Sequence, residues 1–358
     1  MCRFSATQPT ILTGCCVCTL CSQSWVTQYY EVGRKVHIAV ENISRHEAYT
    51  KIQAAAEELV PPTQFDFDIV EPLVGTYTPC PYTACPRVPS SGSSHATDTV
   101  QTTADHRLVL TPGVKIYCER MEPASPGDKV GAGCALYSGS VKLRGNIERG
   151  LTVGHLFEDV GLECSVHSAS SGVSVGRCQC KISFIDLADS LRKTTADLAL
   201  LDVYCPAENT IVIDNATYLL RLSRGFSQSV DCPSVAILSY NGDLRRGEVV
   251  STLFTISALG LYNTLCIVDP DNSWSRVNNP GDSGALVISV PDPSAACNEV
   301  VVYGMVIGYF ETDDGSESKT IATRLWDILH YVDKLSQFGV CSPLNMDVES
   351  GYVSVDQS

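Results

Sequence analysis

Short apolar runs rich in β-branched residues, parted by Gly, Pro, Asn, Asp and Ser, recur along this chain from Val114 onward and constrain it to strands joined by turns. Val114-Lys115-Ile116-Tyr117, Gly131-Ala132-Gly133-Cys134-Ala135-Leu136, Val235-Ala236-Ile237-Leu238, Gly247-Glu248-Val249-Val250, Leu265-Cys266-Ile267-Val268 and Val300 to Ile307 all read this way. The expected fold class is all-β, and 44% apolar residues in a chain of 358 suffice for a sizeable core.

Three polar residues stand at the ends of such runs. Gly281-Asp282-Ser283-Gly284 puts a serine on a tight turn before the apolar Ala285-Leu286-Val287, with glycines that let main chain approach a substrate. In Gly150-Leu151-Thr152-Val153-Gly154-His155 an apolar strand runs out into a histidine, and Thr195-Ala196-Asp197-Leu198-Ala199-Leu200 sets a carboxylate at the mouth of another strand. Each has a plainer reading. Gly-Asp-Ser-Gly is ordinary turn chemistry, a histidine after a strand is commonly structural, and the aspartate fits a helix N-cap. Together they supply a nucleophile, a base and an orienting carboxylate in the order His155, Asp197, Ser283, with 42 residues from the first to the second and 86 from the second to the third.

In these three segments the chain resembles the chymotrypsin-like (trypsin-like, S1-type) serine protease family, and its lack of certain cysteines resembles the disulfide-poor intracellular type. The resemblance covers roughly residues 125 to 337. It implies a double β-barrel with a C-terminal helix, the site lying between the barrels. It also implies an endopeptidase that works through an acyl-enzyme on a polypeptide substrate, with the N–H groups of Gly281 and Ser283 as oxyanion hole. The pocket for the side chain before the scissile bond would fall on Val277, with walls at Ile307 and Gly308, and would take medium or small apolar residues; Arg276 adjoins it. The alternative is a latent or inactive protease-like interaction module. An α/β-hydrolase esterase orders its triad Ser, acid, His, opposite to this chain.

Departures from secreted relatives matter as well. Leu156 follows His155, and Asn279-Pro280 precede Gly281, where many of those relatives carry cysteines, so two disulfides are not expected. No Ile-Val-Gly-Gly-like segment is present to create a new N-terminus by cleavage, although Asp282, the residue that would pair with such an amine, is there. Activation by cleavage is not expected, and the sequence shows nothing that would hold the oxyanion loop in its place.

The formal charge of −15, with no Lys/Arg cluster, argues against nucleic acid as a partner. Seventeen cysteines at irregular spacing, no basic segment followed by an apolar core at the start, and no long apolar run point to reduced thiols, a cytoplasmic chain and no membrane span. Cys15, Cys16, Cys18 and Cys21 invite lipidation, or zinc with Cys80 and Cys85, but no paired Cys-x-x-Cys follows, so neither metal nor cofactor is expected. Cys178 and Cys180 alternate as in a strand.

Composition divides the chain into an irregular Cys-rich leader (1–27), a small strand-helix-strand unit (28–75), a Pro/Ser-rich linker (76–107), the protease-like domain (108–337) and a polar tail (338–358). In the small unit, Tyr30 to Val40 alternates as one strand, Ser44 and Glu47 signal a capping box for a helix from Arg45 to Leu59, and Phe65 to Val70 alternates again. The function of this unit is not readable from its residues: a cleft cover, a docking module and a structural embellishment all stay open, and an intramolecular contact with the protease-like domain is one expectation. Ile321, Leu325, Ile328, Leu329, Val332 and Leu335 recur at helical spacing and predict a C-terminal helix.

Overall fold

The computed structural model describes residues 23–32, 35–57, 66–79, 108–118, 133–143, 147–157, 164–187, 192–223, 233–292 and 298–329. Residues 1–22 of the leader, most of the linker, the polar tail, and with them Cys15 to Cys21, Cys80, Cys85, Val332 and Leu335, lie outside the described residues.

Strands dominate, as the short apolar runs require. In chain order they are β1 (Val26–Val32), β2 (Lys35–Val40), then helix α1 (Arg45–Glu57), β3 (Asp66–Val70), β4 (Gly75–Pro79), β5 (Lys115–Cys118), β6 (Gly133–Leu136), β7 (Gly139–Leu143), β8 (Ile147–Val153), β9 (Ser165–Ser168), β10 (Ser174–Leu187), β11 (Arg192–Val203), β12 (Thr210–Ile213), β13 (Ala216–Leu222), β14 (Ser234–Leu238), β15 (Leu244–Ile256), β16 (Leu261–Val268), β17 (Leu286–Ser289), β18 (Glu299–Thr312) and β19 (Ser318–Arg324). Five residues, 325–329, turn into helix directly after β19.

Two closed barrels emerge from the pairing. The first follows the order β6-β5-β9-β10-β11-β8-β7. Only Tyr137 and Ser138 separate β6 from β7, and their N–H groups donate to Val114 O and Leu151 O, both at 2.8 Å. The outer members of the sheet are therefore one bent strand, and the sheet closes on itself. The second barrel is a ring in which β14 pairs β15, β15 pairs β16, β16 pairs β19, β19 pairs β18, β18 pairs β17 and β17 returns to β14, every pairing antiparallel. This is the double β-barrel that the resemblance implies. Leu151, Val153, Leu198 and Leu200 of the first barrel and Leu286, Ile288, Val302 and Ile321 of the second belong to one buried cluster, so the barrels share a core across their seam.

The N-terminal unit is not a separate sheet. β1 pairs β15 (Gln28↔Ile256), β2 runs back along β1, and β3 lies parallel to β2 after the α1 crossover. The helix starts as its capping residues predict, the Glu47 N–H bonding Ser44 Oγ at 3.2 Å, and it buries Ala48, Ile52 and Ala56 at four-residue spacing. The single strand expected from Tyr30 to Val40 is two, with residues 33–34 between them outside the description. β4 falls at the start of the expected linker and pairs β18. Ile321, expected in the helix, lies instead in β19, where β16 and β18 pair it from both sides, so the helix begins only at Leu325. Cys118, Cys134, Cys164, Cys178, Cys180, Cys205 and Cys266 carry free thiols; Cys178 is buried and Cys180 half-buried. Among the described residues no helix is long and apolar enough to cross a membrane.

Leu200 is fully buried, and its truncation leaves a void that the closed first barrel relaxes around only in part. Leu200→Ala should lower unfolding stability by about 2–5 kcal/mol. Val173→Ala, at a side chain 54% exposed, should stay within about 0.5 kcal/mol. Urea denaturation midpoints check both.

Candidate active site

His155 lies in the 3-10 turn Gly154–Phe157 that ends β8. Asp197 lies in β11, where Ile182 pairs Leu198 and Phe184 pairs Thr195, leaving Ser183 opposite both Ala196 and Asp197. This bulge, with Asp197 at φ +43°, turns the carboxylate out of the ladder, and Asp is among the residues that tolerate such a backbone. Oδ1 accepts from the His155 main-chain N–H at 2.8 Å and Oδ2 sits 2.6 Å from His155 Nδ1, so one carboxylate fixes both the turn and its ring. A Cβ at Gly154 would stand 3.1 Å from Oδ1, which is the local reason for glycine before the histidine.

Neighbouring threonines tie this edge of barrel one to barrel two. Thr195 Oγ1 donates to Gly260 O and accepts from the Tyr262 N–H, both at 2.9 Å, while Thr323 Oγ1 donates to Thr195 O at 2.6 Å.

Ser283 lies on the turn leading into β17. Its carbonyl accepts from the Leu136 N–H at 2.7 Å, and Gly284 O accepts from Ser138 Oγ at 2.7 Å, so the bend between β6 and β7 is bonded directly to the serine turn. Gly284 has φ +88°, and a Cβ there would fall 2.2 Å from Leu136 O, so glycine is required twice over. Ser283 Oγ is 2.9 Å from His155 Nε2. The three residues singled out in the sequence thus form one hydrogen-bonded line, Asp197 to His155 to Ser283, with Ser283 and His155 0% and 5% exposed.

The oxyanion-loop positions hold two further features. The N–H groups of Gly281 and Ser283 have no acceptor among the described residues, although both residues are buried. Asp282 is fully buried and meets no cation among the described residues; Oδ1 accepts from Ser239 Oγ and the Tyr240 N–H, both at 2.8 Å, and Oδ2 from the Asn279 N–H at 2.6 Å. Three bonds to one buried carboxylate offset its desolvation and fix the turn from the far side.

The expected pocket residues are placed as follows. The Val277 side chain packs in the buried cluster of barrel two, its N–H donating to Thr320 Oγ1 at 2.9 Å. Ile307 is fully buried, Gly308 faces β4, and the Arg276 guanidinium stacks 3.7 Å from the centre of the Tyr309 ring. Beside Val277 an open cavity of about 820 Å³ is lined by Ser234, Arg245, Arg246, Asp269 and Arg276, and none of His155, Asp197 and Ser283 reaches it. No group of three or more metal-ligating side chains occurs among the described residues. Ser239, Thr195, Thr320 and Thr323 escape a sequence reading, since a hydroxyl in a strand carries no mark of the distant group it bonds.

No protein-family profile matches the sequence, and no curated protein matches it. Solved structures similar to the chain include a Nocardiopsis protease (NAPase), at 14% identity and a TM-score of 0.38, covering 62% of this chain and 95% of the other. A Cellulomonas bogoriensis chymotrypsin, at 12% identity and a TM-score of 0.39, covers 68% and 100%, and an alpha-lytic protease homolog N4, at 11% identity and a TM-score of 0.38, covers 64% and 97%.

Proposed function

We propose that the protein is a serine endopeptidase. The observation that carries this reading is the unbroken line from Asp197 through His155 to Ser283 Oγ, beside two buried main-chain N–H groups without acceptors. Ser283 Oγ attacks a peptide carbonyl as His155 Nε2 takes its proton, and the carbonyl oxygen gains the charge that the Gly281 and Ser283 N–H groups receive. Collapse of the tetrahedral adduct passes that proton from His155 to the leaving amine and leaves an acyl-serine. Water, deprotonated by the same nitrogen, then hydrolyses the ester and restores the hydroxyl. Asp197 holds the Nδ1–H tautomer and stabilises the imidazolium; no metal or cofactor enters these steps.

A latent, protease-like interaction module is the second reading, favoured by the complete burial of Ser283. A fluorophosphonate, which reacts with activated serines, separates the two. Intact mass should show one adduct on the folded wild type and none on Ser283→Ala or His155→Ala, with peptide hydrolysis falling at least about 10⁴-fold in both variants. A folded wild type that takes no adduct supports the latent module.

Asp282 tests the loop separately from the triad. Asp282→Ala leaves the Tyr240 and Asn279 N–H groups unpaired and frees the turn that aims the Gly281 and Ser283 donors. The labelling rate should fall about 10²–10³-fold, the scale of losing one such donor. Ser239→Ala removes one bond of three, worth about 1 kcal/mol, and should cost less than about tenfold. Adduct formation followed in time by mass spectrometry checks the order of the two.

A further inference from the structure

β18 runs fourteen residues, longer than either of its barrel neighbours. One of its edges carries β19 from Gly304 to Glu311. The other carries β17 only as far as Met305. At Val306 the serine turn takes over, the Gly284 N–H bonding Val306 O at 2.9 Å and the Val306 N–H bonding Ala285 O at 2.8 Å. From Gly308 to Thr312 the same edge is taken by β4, antiparallel, with Pro79 opposite Gly308, Tyr77 opposite Phe310 and Gly75 opposite Thr312. The order along this edge is therefore β17, the Ser283 turn, then a strand from the chain's own N-terminal half. β4 points toward the serine, and Pro79 stands opposite a residue two positions from Val306, about 7 Å of strand.

A peptide bond delivered to Ser283 Oγ needs its neighbouring residues extended beside this turn, and the ladder that lies there is the edge of Gly308 to Thr312, which β4 fills. We propose that β4 covers in cis the edge of β18 along which an extended polypeptide would dock, so that a substrate strand reaches Ser283 only by displacing β4. The substrate part of this proposal rests on the serine endopeptidase reading.

β4 is fitted to its seat. A Cβ at Gly308 would lie 2.5 Å from Thr78 O and 2.7 Å from the Tyr77 ring, and a Cβ at Gly75 would lie 2.3 Å from Glu311 O and 2.7 Å from the Phe310 ring. Tyr77 Oη donates to Ile307 O at 3.1 Å, engaging the carbonyl between the β4 ladder and the serine turn. β4 is also easily spared: it has five residues, pairs among the described strands with β18 alone, and leaves its side chains half-buried or exposed. A strand bonded on one side belongs to the low-stability end of a fold.

The test uses the full chain as wild type, Gly75→Val and Tyr77→Phe, each checked for a cooperative melt. Three readouts are taken: hydrolysis of fluorescein-labelled casein, fluorophosphonate labelling, and fluorescence anisotropy with a labelled synthetic peptide of residues 73–79. Gly75→Val should raise casein kcat/KM at least tenfold, mainly through KM, and Tyr77→Phe about threefold, while labelling rates stay within twofold. The peptide should bind Gly75→Val at least tenfold more tightly than wild type. Normal labelling with unchanged hydrolysis and unchanged peptide binding overturns the proposal and leaves the serine chemistry standing. Absence of labelling in all three proteins overturns the endopeptidase reading instead; peptide binding then decides, tighter binding to Gly75→Val upholding the docking edge and equal binding overturning it. Should Gly75→Val fail to fold, Tyr77→Phe decides on the same readouts.

Discussion

Two closed barrels pair most of their strand edges within their own rings, so everything at this site depends on how one main chain is bonded to another across the seam. The bond that matters most runs from the Leu136 N–H to Ser283 O. Leu136 belongs to the bent strand that closes barrel one, and Ser283 to the turn that enters β17 of barrel two, so this bond fixes the serine relative to the barrel that carries His155 and Asp197. It is possible only because Gly284 has no Cβ to strike Leu136 O, which is itself held by Thr152 Oγ1 at 2.8 Å. The separation of Ser283 Oγ from His155 Nε2 is thus set by barrel closure and one glycine rather than by the flexibility of either side chain.

The same economy governs the carboxylates. Asp197 sits in a left-handed backbone that a non-glycine residue adopts at a cost of order 1–3 kcal/mol, and the bulge that imposes it also aims both oxygens at His155. Asp282 is buried, meets no cation among the described residues, and is held by Ser239, Tyr240 and Asn279. A terminal amine is the partner expected for this aspartate in the resembled family; here two main-chain N–H groups and a hydroxyl fill its oxygens. The loop that bears the Gly281 and Ser283 donors therefore has a fixed support within the chain as it stands.

His155, Asp197 and Ser283 were legible because each is a polar residue beside an apolar run, which local periodicity reveals, although Asp197 lies at a bulge inside β11 and not at the mouth of a strand. α1 was legible for the same reason, since Ser44, Glu47 and the buried Ala48-Ile52-Ala56 stripe are all local. What the sequence hid is long-range. Ile321 matches helical spacing, yet two flanking strands offer it a ladder on each side and override that preference. The β12–β13 hairpin turns on Asp214 and Asn215, both at positive φ, but its reason for existing is the parallel pairing with β18 some eighty positions away. Ser239 is the same kind of case, a hydroxyl whose role is defined only by a carboxylate 43 residues further on. Thr76 to Pro79 opens a proline-rich stretch and reads as linker, because nothing local says that Glu311 and Phe310 lie against this strand.

That last misreading follows from how barrels close. A ring of strands pairs every edge only over the length its members share, and β18 outruns β17 by the whole stretch beyond Met305. Beyond that point one edge of β18 would stand open next to the serine turn, an exposed ladder of the kind that proteins cover or use. A barrel protein that did not handle extended chains would gain by shortening the strand or by covering the edge with a permanent, two-sided neighbour. This chain keeps the strand long and covers it with five residues that, among the described strands, pair on one side only, drawn from a distant part of the sequence. An edge both preserved and lightly covered, beside a serine bonded to a histidine, has the arrangement needed for one polypeptide strand to replace another.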